Sequence, residues 1–200
     1  MIILASNLSH KFFWELQEKN PNTLGVIFSP TYYAKPKNCI YALDNGCFQK
    51  FEPEKFMKML LKNRNVAEYH PPLFITCPDV LMNCEMTLVY WYTYSKLLKP
   101  FGRMAFVAQD GMEPQDCPSD AEVIFIGGST KFKLENAHRF RSVAKHLHIG
   151  RVSTEHRWEW AKNECKADSC DGSKICFAGE NGVQFKQLKL FLENKKARIF

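Results

Sequence analysis

Several absences narrow the reading of this 200-residue chain before any motif is considered. No apolar run approaches the roughly 20 residues that a membrane-crossing helix needs, so no membrane partner is expected. The opening Met1-Ile2-Ile3-Leu4-Ala5 is too short for a secretory signal and lacks its basic start, and the chain reads as cytoplasmic. No Gly/Ser/Pro-rich linker, low-complexity tract or fixed-period repeat divides it. A single domain over 1–200 is therefore expected, and a hydrophobic fraction of 46% is enough to fill its core. A close Cys-x-x-Cys pair is also missing. Of the eight cysteines, only Cys165, Cys170 and Cys176 cluster tightly, and their spacing is not that of a structural zinc site. Cys39, Cys47 and Cys77 lie in or beside apolar runs, where a free cysteine acts as a small hydrophobe. No metal or organic cofactor is expected.

What is present is a modest basic excess and a regular alternation of short apolar runs with helical patterns. The formal charge of +6 makes a polyanion such as nucleic acid a candidate partner, beside the plainer reading of a mildly basic soluble protein. Apolar runs at 2–5, 24–28, 39–43, 73–76, 104–107, 123–126 and 147–149 predict seven strands, and 167–170 predicts a short eighth. Helical spacing is expected over 9–19 with Ser9 as cap, from Pro53 through Leu61, over 83–98, over 134–146, after Thr154, and over 184–194. Eight strands separated by helices are what a (β/α)8 barrel requires, and a doubly wound open sheet is the alternative. Since 200 residues fall below the roughly 250 typical of such barrels, some crossovers must be trimmed, chiefly those after the second and fifth strands.

Six of these segments end at polar or glycine-containing clusters: Asp44-Asn45-Gly46, Pro78-Asp79, Gln109-Asp110-Gly111, Gly127-Gly128-Ser129, Gly150-Arg151 and Asp168-Ser169-Cys170-Asp171. One aspartate after a strand is ordinarily a cap or a turn residue. Asp44, Asp79, Asp110, Asp168 and Asp171 together predict a site built from many strand ends, where barrel enzymes bind substrate. Two carboxylates facing one bond permit double displacement at an anomeric carbon, one as nucleophile and the other as acid and then base. Gln109 and the Gly127-Gly128 backbone suit the edge of a planar heterocycle, or merely a tight turn. Lys131, Lys133, Arg151 and Arg157, just past the sixth and seventh strands, are candidate phosphate contacts or solvated helix starts.

These residues carry a resemblance. Leu43-Asp44-Asn45-Gly46-Cys47-Phe48-Gln49 resembles the Ser-Asp-Ser-Gly-Gly-Phe-Gln segment of the tRNA-guanine transglycosylases, and Val107-Ala108-Gln109-Asp110-Gly111, Ile126-Gly127-Gly128 and Ala167-Asp168-Ser169-Cys170-Asp171 resemble later segments of that family in the same order. Cys77-Pro78-Asp79-Val80, Gly127-Gly128-Ser129-Thr130-Lys131, the run from His148 to Thr154 with Arg157, and Asp168 to Ser173 look like its short branch in phages and bacteria, the DpdA-type proteins, which place 7-deazaguanine bases in DNA. The resemblance implies a barrel transglycosylase, in the host cytoplasm if phage-encoded, exchanging guanine in DNA for free 7-cyano-7-deazaguanine (preQ0) or a related base. It makes Asp171 the nucleophile and Asp44 the general acid/base, with Asp168 as nucleophile if the register slips. Asp79, Gln109, Gly127 and Gly128 become the guanine readers, with Asn45 and Phe48 beside them.

The zinc site of the enzymes acting on tRNA has three close cysteines and a histidine after the nucleophile. Cys165, Cys170 and Cys176 do not match it, and Cys170 lies between the two aspartates. Zinc and a tRNA substrate are thereby disfavoured, and the oligomeric state is left open. Two rival readings use the same residues: a glycosidase that removes a base or ribosyl group and lets water finish the reaction, and a non-catalytic nucleic-acid-binding barrel.

Overall fold

The structure is a computed structural model that describes residues 1–6, 10–36, 38–48, 50–176 and 179–197, the side chains of 176 and 194–197 excepted. Ser9 as a cap, Gln49 and the Cys176 side chain lie outside the described residues. Eight parallel strands close a barrel in sequence order: β1 (Ile2–Ala5), β2 (Leu24–Phe28), β3 (Tyr41–Leu43), β4 (Ile75–Thr76), β5 (Met104–Ala108), β6 (Val123–Ile126), β7 (Leu147–Ile149) and β8 (Ser169–Gly172). The chain is thus a compact (β/α)8 barrel rather than an open sheet. Helices α1 (Lys11–Lys19), α2 (Pro53–Ala67), α3 (Cys84–Leu98), α4 (Thr130–Asn136), α5 (Glu155–Asn163) and α6 (Val183–Ala197) follow β1, β3, β4, β6, β7 and β8. The trimmed crossovers fall where the sequence places them: no described helix follows β2, and only a 3-10 turn (Pro114–Asp116) follows β5. None of the described helices is long and apolar enough to cross a membrane.

Strand side chains alternate between faces, and that parity sorts the core. Leu4, Ile27, Ala42, Phe74, Ala105 and Val123 form an inner cluster, joined by Ile2, Ile40, Leu73 and Phe125. The intervening residues, among them Ile3, Val26, Tyr41, Leu43, Ile75, Phe106, Ile124, Ile149 and Cys170, belong to the larger cluster shared with the helices. Gly25 is required where strands converge. A Cβ there would lie 2.3 Å from the Ile40 carbonyl oxygen, a backbone atom that cannot swing aside. Gly25→Ala is therefore expected to lower stability by about 3 kcal/mol, the upper range of overpacking. A urea midpoint unchanged at constant slope would count against this account.

Three expectations need correction. The helix placed over 134–146 begins at Thr130 and gives way to a 3-10 segment at Ala137–Ser142. Ser129 caps it, accepting from the Phe132 N–H. Thr154 occupies the N-cap position of α5, but its side chain makes no capping bond. The eighth strand runs over Ser169–Gly172, two residues later than its hydrophobicity indicates. Lys166 turns the chain at φ 53°, the Ala167 N–H is held by Ala161, and pairing begins only at Ser169 with Ile2 and His148.

Candidate active site

The inward parity continues past the strand ends and brings one set of polar side chains to the C-terminal mouth. Asp44 follows inward Ala42 by two residues, Thr76 follows Phe74, Gln109 follows Val107, and Asp171 follows Ser169. Asp171 is paired in register with Leu4, so it is held between β1 and β7 on the last strand of the closure.

Asp44 is fixed by donors on both oxygens: the Thr76 hydroxyl to Oδ1 at 3.2 Å and the Gly46 N–H to Oδ2 at 3.2 Å. Burial pushes its acid up to about 7, helped by the charges of Asp171 and Asp79 and opposed by the Gly46 and Thr76 bonds. A carboxyl in that range holds or releases a proton near neutral pH, as general acid/base work requires.

A second group is built around Asp79. Asn45 Nδ2 donates to its Oδ1 at 2.7 Å and Gln109 Nε2 to its Oδ2 at 2.6 Å. Asn45 is locked by further bonds to the Cys77 carbonyl, the Thr76 hydroxyl and the Cys47 N–H, and Gln109 Oε1 accepts from the Met82 N–H. Burial raises the Asp79 acid against the lowering effect of these donors. Each Asp79 oxygen still has acceptor capacity, and the Gln109 amide has a second N–H.

Gly127 and Gly128 contribute less free backbone than the sequence implies. The Gly127 N–H donates to the Ala108 carbonyl, and the Gly128 carbonyl accepts from the Arg151 guanidinium. Their bareness has a packing cause. A Cβ on Gly127 would meet Val107 at 2.7 Å and Gln109 Nε2 at 3.0 Å, and Gly128 has φ +67° with Asp110 Oδ2 where a Cβ would stand. Asp110 accepts from the Ser129 N–H and hydroxyl, so it clamps the loop before α4 and does not face the mouth carboxylates.

Asp168 is not part of this mouth. It precedes β8 at the opposite, N-terminal end, roughly 10 Å of extended chain from Asp171. Its Oδ2 accepts from Arg141 at 2.6 Å and from the Leu147 N–H at 2.8 Å. Although burial raises its acid, these two donors prevail and hold it below the usual carboxylate range. The candidate cations also separate. Lys131 and Arg151 are exposed and Arg157 is half-buried. Lys133 is only 4% exposed, its Nζ donating to the Gly150 carbonyl at 2.8 Å. Burial and the neighbouring Arg151 lower its ammonium to about 7 while Asp171 opposes them, so it stands under the carboxylates, out of reach of a phosphate.

Phe48, 61% exposed, carries the Arg151 guanidinium over its ring at 4.9 Å from the centroid. Phe48 follows β3 and Arg151 follows β7, strands that stand opposite each other in an eight-strand barrel, so this contact bridges the mouth. Cavities of about 390 and 440 Å3 open on the flanks, beside Tyr33 and Tyr69 and beside Trp14 and Gln17, and neither reaches the carboxylates.

Sequence reasoning assigned no role to Thr76, His148 or Ser169. His148 Nε2 lies 3.1 Å from Asp171 Oδ1, and its Nδ1 lies 2.7 Å from Ser169 Oγ. The signal for His148 was its place between outward Leu147 and Ile149, which sends it into the barrel. Comparison with protein-family models and with curated protein sequences found no match to this chain.

Proposed function

We propose that the protein exchanges guanine in DNA for a 7-deazaguanine base by double displacement through a glycosyl ester on Asp171. The observation that carries this reading is the pair of inward carboxylates, Asp171 on β8 and Asp44 beyond β3, close enough for the charge of one to raise the acid of the other. Asp171 forms a bond to C1′ as the C1′–N9 bond breaks, and Asp44 gives its proton to the departing guanine. The incoming base then returns a proton to Asp44, and its N9 displaces Asp171 from C1′, so two inversions give net retention.

Asp79 and Gln109 support a purine as the leaving group. An ionised carboxylate accepts from guanine N1–H and the exocyclic amine, and the remaining Gln109 N–H donates to O6. The exposed cations Lys131 and Arg151 follow β6 and β7, on the side of the barrel where a phosphate backbone would pass. A base stacked in duplex DNA cannot reach such a mouth, so a flipped or single-stranded nucleotide is the substrate form.

Incubation with guanine-containing DNA and radiolabelled 7-cyano-7-deazaguanine tests the reading. Label entering DNA with one guanine released per base incorporated is the expected result. Abasic sites without label would assign a water-terminated glycosidase instead, and DNA binding without either product would leave only a binding barrel.

A further inference from the structure

Along β7 and β8 the inward side is polar, and four side chains there form one hydrogen-bonded file. His146 Nε2 and His148 Nδ1 each lie 2.7 Å from Ser169 Oγ, and His148 Nε2 lies 3.1 Å from Asp171 Oδ1. His148 and Ser169 are fully buried. The His148 ring is wedged between Phe74 and Phe125, with centroids at 4.8 and 4.5 Å, so it cannot turn over.

Proton counting leaves one arrangement for this file when both imidazoles are neutral. An ionised Asp171 has no proton to give, so the His148 Nε2–H donates to it. His148 Nδ1 is then a bare acceptor and takes the Ser169 hydroxyl proton. The Ser169 oxygen in turn accepts from the His146 Nε2–H. Burial pushes the His146 imidazolium down to about 4, which keeps that ring neutral at physiological pH. The hydrogen bonds that Asp171 receives among the described residues both fall on Oδ1, from His148 and, at 3.4 Å, from the Arg151 N–H.

We propose that His148 is a positioning residue for the nucleophile: held as the Nε2–H tautomer between the Asp171 carboxylate and the Ser169 hydroxyl, it pins Oδ1 of Asp171 and presents Oδ2 as the attacking oxygen. The inference rests on the base-exchange reading for its chemistry and on the file alone for its geometry. A file of this kind beside a carboxylate does more than satisfy buried polar atoms. It sets the rotamer of the nucleophile from the side away from substrate, where no ligand contact can do so.

Two measurements test it. Nitrogen-15 spectra of the imidazoles in the full chain report the tautomer without requiring turnover. His148 as Nε2–H is expected; His148 as Nδ1–H in the wild-type protein would overturn the proposal. In the exchange assay, His148→Phe fills the space between Phe74 and Phe125 but removes the donor. Its kcat is expected to fall about 100-fold, the scale of a misplaced reacting group, with KM little changed. His148→Gln, which restores an amide N–H donor, should recover most of the rate. The groups facing this file are Ser169 and Asp171 from β8, with Asp44 and Lys133 beyond Asp171 and Arg103, Arg141 and Asp168 beyond His146. Unchanged kcat in His148→Phe, or a fallen kcat that His148→Gln does not recover, would overturn the positioning role. A wild-type protein with the Nε2–H tautomer but no label transfer would support the file while removing the base-exchange reading.

Discussion

Asp171→Ala is expected to lower label incorporation by at least about 10⁴-fold while leaving DNA affinity nearly intact, because it removes the one atom that can bond C1′ and none of the exposed cations. The wild-type protein, given DNA and no incoming base, should form an adduct that survives denaturing electrophoresis. Asp171→Ala should form none. Asp168→Asn is the necessary contrast, since the two aspartates are only three residues apart. Its carboxylate is bonded to Arg141 and the Leu147 N–H at the other end of β8, so the variant should lose stability and keep turnover within a few-fold. Were Asp168→Asn to abolish the adduct and Asp171→Ala to retain it, the register assigned to β8 would be wrong for the chemistry.

Asp44→Asn should produce two opposite effects in one protein: loss of exchange and a gain in stability at alkaline pH. The acid of Asp44 lies at about 7 in the folded chain against a reference value of 3.8. Between those values the folded state holds a proton that the unfolded state has released, so stability falls as pH rises through this window. The full difference corresponds to a ceiling of about 4 kcal/mol above pH 7, reduced by the partial exposure of the side chain. The neutral amide removes that penalty at pH 8 and has almost none to remove at pH 4, where the folded carboxyl is protonated and the unfolded one is close to its own midpoint. Urea unfolding at the two pH values should show the gain only at the higher one, and an equal gain at both would refute the electrostatic origin. In the wild-type protein the guanine-release step should slow about tenfold per pH unit above 7, as the acid form of Asp44 disappears.

The barrel was legible because seven of its strands are short apolar runs bounded by polar breaks, and that pattern survives any error in helix placement. Ser169-Cys170-Asp171-Gly172 has no β-branched or aromatic residue to mark it as a strand. It is one because β1 and β7 supply ladder partners on both sides, a tertiary effect that outweighs local propensity. The same reading grouped Asp168 with Asp171 in one cluster at the C-terminal strand ends, when Asp168 precedes β8 at its N-terminal end. Asp44, Asp79 and Gln109 were readable as polar residues after apolar runs, and they meet at the mouth. Lys133 was misread because charge marks surface by default, and only packing of the short α4 over Gly150 carries it inward. Thr76 and Ser169 gave no signal, since an isolated hydroxyl in a strand does not differ from any other until its neighbours are known.

Asp171 hangs on the seam where β8 meets β1, two strands that stand at the two ends of the order β1 to β8. Joining partners so remote along a polypeptide is entropically among the last and slowest events of folding. A chain that has collapsed but not zipped this seam would hold Asp44 and Asp79 and still have no nucleophile facing them. On the base-exchange reading, reactivity toward DNA would thereby be withheld from half-made copies and arrive only with the finished molecule.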